Sequence, residues 1–528
     1  HSRTRKSHRD MARNAKPISR IAGIAAATFV VVAVLLAFVG IGLRVKTISG
    51  LGPAEWQAIQ FTIAQSALSA LLSCALAVPV ARALARRKFW GRTFLITLLG
   101  APFILPVIVA MLGLLAIFGR SGVLNDMLEM IGIAKISIYG LQGVVLAHVF
   151  FNLPLAIRLL VQGWQGVPAE RFRLSAQLGM GPRMVFRLIE LPLLMRILPG
   201  AFALIFVICL TSFAVALTLG GGPRATTIEL AIYQAFRFDF NLGRAALLSL
   251  VQLFVAGGAA VLAFWLVPAV TFGGGMDRMQ KRWDAQGNWA RALDGVCIAF
   301  AASFLILPLL AILTSGLRGL LEVPLIVWTS AWTSLWVALV SVLILLVVAL
   351  PMAGWIATSR RASVEAIGLL GLSVSPLMIG TGWFILIHPY ANPTDWALVV
   401  TISVNAMMAL PFALRILVPS IRQTAQTYDR LSGALGISGI AFWRCVLLPR
   451  SRPQIGFTAG LTAALSVGDL GVIALFGDPD RSTLPLQMYR LMGSYRTDAA
   501  AGAALILLAL AFGLFWIMDY WGRRNAIA

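Results

Sequence analysis

Charge is scarce in this chain. Charged residues fill 12% of its 528 positions, against about 25% in an average soluble domain. That shortage excludes an ordinary soluble enzyme and a disordered protein. Cysteine is scarce too. The four present, Cys74, Cys209, Cys297 and Cys445, are widely scattered. They form neither the disulfide framework of a small secreted module nor a CxxC metal site. The four histidines (His1, His8, His148, His388) are dispersed and predict no metal centre. The dipeptide Gly-Lys never occurs, so there is no phosphate-binding loop and no ATP hydrolysis by that route. HExxH and GxSxG are missing as well. The close glycine pairs Gly179-Met-Gly181 and Gly380-Thr-Gly382 are too short to define a dinucleotide site. The chain reads as a non-enzyme with no cofactor or metal of its own.

What is abundant is apolar. Hydrophobic residues make up 59%. The net charge of +23 would suggest nucleic acid in a soluble protein. Here it fits better the Lys/Arg excess of cytoplasmic loops in membrane proteins, and no nucleic-acid partner is expected. A bilayer core needs about 20 apolar residues in helical form. Such runs recur near 21–43, 59–81, 93–118, 141–160, 197–219, 245–270, 292–313, 331–357, 364–388, 396–418, 455–476 and 499–521. The predicted fold is therefore all-α and polytopic, with twelve transmembrane helices. The first run is too long for a signal peptide and is read as a retained helix. Met11 is the expected natural start, with His1–Asp10 upstream of it. With the N-terminus in the cytoplasm, 32 of the 43 Lys and Arg fall on cytoplasmic segments and 11 on outer loops. The alternation predicts that both termini are cytoplasmic.

The chain is also doubled. Asn152-Leu-Pro-Leu-Ala-Ile-Arg158 matches Ala409-Leu-Pro-Phe-Ala-Leu-Arg415 at an offset of 257. Arg173-Leu-Ser-Ala-Gln-Leu-Gly179 matches Arg430-Leu-Ser-Gly-Ala-Leu-Gly436 at the same offset. Pro223 and Tyr233 meet Pro479 and Tyr489 at 256. Pro79 and Pro106 align more loosely with Pro351 and Pro376. The predicted organisation is a basic tail (1–20), a six-helix half (21–270), a cytoplasmic linker (271–291) and a second six-helix half (292–528). Two parallel repeats of this kind imply a pseudo-twofold axis along the membrane normal.

In each half the longest cytoplasmic loop lies between the fourth and fifth spans. Phe172, Leu174 and Leu178 recur at helical spacing. Gly179 then provides a helix end, expected in the left-handed conformation. Gly181-Pro182 restarts a helix that Leu191-Pro192 is expected to break. Tyr428, Leu431, Leu435, Gly436, a Ser438 cap and Leu448-Pro449 repeat the plan. Two short amphipathic helices could simply pack on their own membrane helices. Their duplication favours a surface that docks another protein once per half.

At these residues the sequence resembles the permeases of binding-protein-dependent ABC importers. Their loop pattern is present as Gly179, Ile189, Leu191, Pro192 and as Gly436, Val446, Leu448, Pro449. Where that family usually has Glu-Ala-Ala, both copies here have Arg-Leu-Ser (Arg173-Leu174-Ser175 and Arg430-Leu431-Ser432). The role of that glutamate is therefore not carried over. Fused permeases of this length are typical of thiamine and ferric-iron importers. Leu219–Ala235, Leu146–Pro154 and Gly493–Arg496 look closely like the thiamine permeases. The resemblance implies a type I importer fold and thiamine with its phosphate esters as cargo. It also implies a periplasmic thiamine-binding protein, two copies of an ATPase subunit that bind ATP and Mg, and residence in a bacterial inner membrane.

Ionisable groups inside spans are functional candidates. The clearest is Asp469, whose counterpart at offset 257 is Ser212. It could meet the thiazolium cation on the translocation path, or form a hydrogen bond between helices, and the second reading is favoured. His148, Asn152 and Asn405 are read as interhelical hydrogen bonders. The outer loops 220–243 and 477–498 carry mixed charge: Arg224, Glu229, Arg237 and Asp239 in one, Asp478, Asp480, Arg481, Arg490, Arg496 and Asp498 in the other. That mixture suits docking of a protein. A ferric-iron permease is the near alternative. A proton-coupled secondary transporter would place its long loop between the halves, where only 271–291 lies.

Overall fold

The computed structural model describes residues 17–44, 51–220, 222, 225–266, 282, 287–359, 374–437, 439–476 and 482–524. Most of the basic tail, most of the linker, Ser438, Pro223, Pro479 and the loop charges Arg224, Asp478, Asp480 and Arg481 lie outside them. Every described element is helical. The apolar helices are α1 (Pro17–Arg44), α2 (Pro53–Arg86), α3 (Val107–Phe118), α4 (Leu141–Gln165), α5 (Leu191–Leu210), α6 (Leu242–Leu266), α7 (Asn288–Gly319), α8 (Leu325–Thr358), α9 (Pro376–Ile387), α10 (Ala397–Ala434), α11 (Arg452–Val467) and α12 (Thr497–Arg523). Each falls on one of the twelve runs. Among the described residues, eleven helical stretches are long and apolar enough to cross a bilayer, and α9 is a shorter apolar helix. Residues 364–373 of the ninth predicted run lie outside the described set. The chain is a multi-pass membrane protein.

The third run is not one helix. It divides into Arg92–Leu98, a 3-10 turn at Ala101–Phe103, and α3. Pro106 sets the second break, because a residue before proline is disfavoured in helical geometry.

The first helix of each half packs on the other half. Gly23 of α1 lies so close to Trp355 and Pro351 of α8 that a Cβ there would clash with both. The indole of Trp383 in α9 donates to the Ala33 carbonyl of α1 at 3.0 Å. Reciprocally, a Cβ on Gly113 of α3 would stand 2.7 Å from Pro308 and Ile312 of α7. Arg86 and Arg87 at the end of α2 both pair with Asp294 near the start of α7. Small residues let these helices meet where lipid supplies no hydrophobic drive.

The duplication extends to individual hydrogen bonds. Thr62 of α2 accepts from the Ile228 amide at 2.9 Å, and Ser334 of α8 accepts from the Leu484 amide at 2.8 Å. These amides open two short helices, Ile228–Arg237 and Leu484–Gly493. Deeper in, Ser69 of α2 lies 3.4 Å from His148 of α4, and Asn152 donates to Cys209 of α5 at 3.4 Å. The second half repeats the three-helix junction as Ser341, Asn405 and Ser466. There Asn405 donates to Ser466 at 2.9 Å and Ser466 donates to Ser341 at 3.2 Å. His148, Asn152 and Asn405 thus do bridge helices.

Candidate functional site: paired loops and broken fifth helices

The first loop begins with the helix Ala169–Gln177. Gly179 follows with φ +64°, and Gly436 in the second loop has φ +66°. Only glycine adopts this region without a Cβ penalty. The Met180 amide reaches back to the Ser175 carbonyl at 3.0 Å, and the Ile437 amide to the Ser432 carbonyl at 2.9 Å. Both ends are therefore closed by the same hydrogen-bonded cap. Ser175 and Ser432 are buried beneath the turn, whereas Arg173 and Arg430 are exposed.

The apolar residues on these turns are not all consumed by packing. Phe172 is buried and anchors the first helix. Leu174 and Leu178 are 55% and 62% exposed, and their counterparts Leu431 and Leu435 are 54% and 63% exposed. Two large exposed leucines per turn, repeated at matching positions, are what an interaction surface looks like.

Leu191-Pro192 and Leu448-Pro449 do not break the second loop helix, contrary to the sequence expectation. Helix Pro182–Val185 passes through a π-helical turn, Phe186–Glu190, directly into α5. The second loop does the same through Gly439–Phe442, Trp443–Leu447 and Leu448–Arg450, and Ser451 then separates it from α11. The π turn widens the helix just before each proline, with the Leu191 amide reaching the Phe186 carbonyl five residues back, which makes room for a ring that would otherwise meet a carbonyl of the preceding turn. Ile189 and Val446 are half-buried. Leu191 is exposed and Leu448 half-buried, and both prolines face outward.

Beyond the loops, α5 and α11 are interrupted at the same place. Helix geometry stops at Thr211-Ser212-Phe213 and at Gly468-Asp469-Leu470, then resumes as Ala214–Leu219 and Gly471–Phe476. The Ser212 amide contacts the Cys209 carbonyl at 3.4 Å, and the Asp469 amide contacts the Ser466 carbonyl at the same distance. Broken helices are tolerated at membrane depth only where protein or a cavity satisfies them. Asp469 satisfies part of its own break: its Oδ1 accepts from the Gly471 amide at 3.3 Å. The favoured interhelical hydrogen bond is thus corrected to a local cap. Its Oδ2 is buried without a hydrogen-bond partner among the described residues. Gly468 brings the break against the other half, since a Cβ there would stand 2.9 Å from Pro106.

One charge that the sequence assigns to an exposed loop is buried. Glu229 is fully buried and cannot face a docking protein. It accepts from Ser375, the cap of α9, at 2.7 Å and from Gln252 of α6 at 2.9 Å. Gln252 also donates to the Leu210 carbonyl at the end of α5. Burial pushes the Glu229 carboxyl up to about 8, against the two hydrogen bonds. Sequence could have flagged it, because Ile228, Ile232, Ala235 and Phe236 around it are buried as well. The exposed residues of this rim include Asp239, Arg496 and Asp498 together with Phe238, Phe240 and Tyr495.

A doubled, all-helical membrane chain with one helix–glycine–helix loop per half has the architecture of an ABC-importer permease, a transport subunit and not an enzyme. No protein-family model matches the chain. The thiamine transport system permease protein ThiP of Brucella abortus (strain 2308) is 40% identical over 478 residues, covering 88% of this chain and 87% of that protein. Its namesake from Escherichia coli (strain K12) is 38% identical over 525 residues, covering 96% and 97%. That of Haemophilus influenzae is 32% identical over 490 residues, covering 88% and 90%. The chain belongs to the thiamine transport system permease family.

Proposed function

We propose that this chain forms the transmembrane path of a binding-protein-dependent ABC importer for thiamine and its phosphate esters, in a bacterial inner membrane with both termini cytoplasmic. Two copies of a separate ATPase subunit, which bind ATP and Mg, dock on the loops around Gly179 and Gly436. A periplasmic thiamine-binding protein delivers cargo to the rim carrying Phe238, Phe240 and Tyr495. The observation that carries the docking reading is the repeated pair of exposed leucines beside each left-handed glycine. The thiamine assignment is supported by the relatives' names and by the length over which they match. The residues nominated for the loops are Arg173, Leu174, Ser175, Gly179, Ile189, Leu191, Pro192, Arg430, Leu431, Ser432, Gly436, Val446, Leu448 and Pro449. Those for the path are Ser212 and Asp469.

The test is reconstitution in liposomes with the ATPase and the binding protein. Labelled thiamine should accumulate only with ATP, and ferric iron should not. ATP-dependent uptake of iron without thiamine would replace this reading with the ferric-iron alternative. Uptake driven by an ion gradient alone would replace it with a secondary transporter.

A further inference from the structure

The two docking loops are built alike but are anchored by different chemistry. Glu190, in the π-helical turn of the first loop, is fully buried. It receives Arg82 of α2 at 2.8 Å, the Trp164 indole at the end of α4 at 3.2 Å, and Arg282 at 2.6 Å. Arg282 belongs to the segment that joins the halves. Its guanidinium also lies 4.6 Å from the centre of the Phe172 ring, the buried anchor of the first docking helix. Arg82 lies 5.3 Å from the ring centre of Phe186, in the same π-helical turn.

Glu190, Trp164 and Arg82 have matching positions in the second half, and none of the three carries a charge there. Glu190 corresponds to Leu447 and Trp164 to Ile421, both at 257, and both residues are buried. Arg82 corresponds to Gly354 in the register that aligns Pro79 with Pro351. The space a side chain would take at Gly354 is filled by the indole of Trp443, the counterpart of Phe186. Leu447, Ile421 and Trp443 lie in one apolar cluster. Nothing ionic at these positions replaces the first-half clamp.

A buried carboxylate is costly unless its charges and hydrogen bonds are met, and removing one partner leaves the remainder uncompensated. Hydrophobic packing has no such all-or-none character. We propose that Arg282 is a positioning residue for the first docking loop. By clamping Glu190 and covering Phe172, Arg282 sets the seat of one ATPase subunit, while at the other seat Leu447, Ile421 and Trp443 pack together and Arg450 stacks on Tyr428. The two seats are therefore anchored unequally, and loss of Arg282 is felt at the first. This rests on the reading that the loops receive the ATPase.

The experiment measures each seat separately in the assembled importer. Leu174→Cys and Leu431→Cys, each in a chain freed of native cysteines, are cross-linked to the ATPase with a short thiol-to-amine reagent. Arg282→Ala leaves the buried Glu190 one cation short; it should lower the yield from Leu174→Cys several-fold and leave Leu431→Cys unchanged. Arg282→Lys keeps the charge but not the fork. It should give an intermediate loss, again at the first loop only, and it decides the matter if the Ala variant is not recovered. ATP hydrolysed per thiamine imported should rise in both variants. Equal losses at both loops, or no loss at either, would overturn the proposal and leave the docking reading intact. No cross-link from either position with Arg282 in place would overturn the docking reading and the proposal with it.

Discussion

Gly40 of α1 and Gly382 of α9 meet backbone against backbone across the two halves. A Cβ on Gly40 would overlap the Gly382 carbonyl, and one on Gly382 would overlap the Ala37 carbonyl. Such contacts supply the packing that lipid does not. Gly40→Leu should force the halves apart at a cost of about 1–3 kcal/mol, read as a lower apparent Tm of the purified protein. Gly42 has nothing within 4 Å of an added Cβ, so Gly42→Leu should leave the Tm unchanged. Equal effects of the two would show that this contact does not hold the halves.

Gly179 and Gly436 make the second prediction. A side chain in left-handed geometry costs about 1–2 kcal/mol per residue, more for a β-branched one. Gly179→Val combined with Gly436→Val should redirect the helix that follows each glycine. The chain should still insert, but the ATPase should no longer co-purify. Gly181, with φ −67° and open space around it, is the control. Gly181→Ala should behave as the unsubstituted protein. Normal ATPase association and normal transport in the double variant would remove the docking function from these loops.

Orientation is checked by labelling single cysteines after the native four are replaced. Gly222→Cys should react with an impermeant thiol reagent in cells whose outer membrane has been permeabilised. Gln177→Cys and Ala434→Cys should react only once the inner membrane is opened. Reaction of Gln177→Cys before that step would invert the topology.

Apolar runs made the membrane helices legible, because their length is dictated by the bilayer. The doubling was legible through Arg173–Gly179 and Arg430–Gly436. The exchange of α1 and α7 between halves was not, since a hydropathy pattern does not say which helix a lipid-soluble face meets. Glycines such as Gly23 and Gly113 carry that information only once their neighbours are known. The three-helix junctions were half visible: the offset of 257 pairs His148 with Asn405 and Cys209 with Ser466. Glu229 was misread because an acid in a loop between spans looks like surface. Proline misled at Leu191-Pro192, where the preceding turn widens and the helix continues.

Glu229 predicts a pH dependence. The ordinary carboxyl titrates near 4.5, while burial holds this one up to about 8. Between those values the unfolded chain has lost a proton that the folded chain keeps. Stability must then fall as pH rises through this window. Glu229→Gln keeps an acceptor for Ser375 and has no proton to lose. Its apparent Tm should be less sensitive to pH between 5 and 8 than that of the unsubstituted protein. Identical slopes for the two proteins would mean that this carboxyl ionises without cost.

Asp469 sits where α11 breaks, and its two oxygens have different circumstances. Oδ1 accepts from the Gly471 amide and so caps the resumed helix Gly471–Phe476. Oδ2 has no partner among the described residues. If the acid serves the break, the cap is what matters. Asparagine retains that oxygen, so Asp469→Asn should import thiamine within about twofold of the unsubstituted rate, whereas Asp469→Leu loses the cap, worth about 1 kcal/mol, and should lower both stability and uptake. If Oδ2 instead meets the thiazolium, the negative charge is what matters. Asp469→Asn would then import poorly while binding-protein-stimulated ATP hydrolysis persisted. The equivalent position, Ser212, has no charge, yet its chain breaks in the same way. The break therefore does not depend on an acid, and the charge at Asp469 is free to be tested apart from it. The cap already formed by Oδ1 favours the first outcome. A selective loss of uptake in Asp469→Asn, with ATP hydrolysis intact, would reassign Asp469 to the cargo.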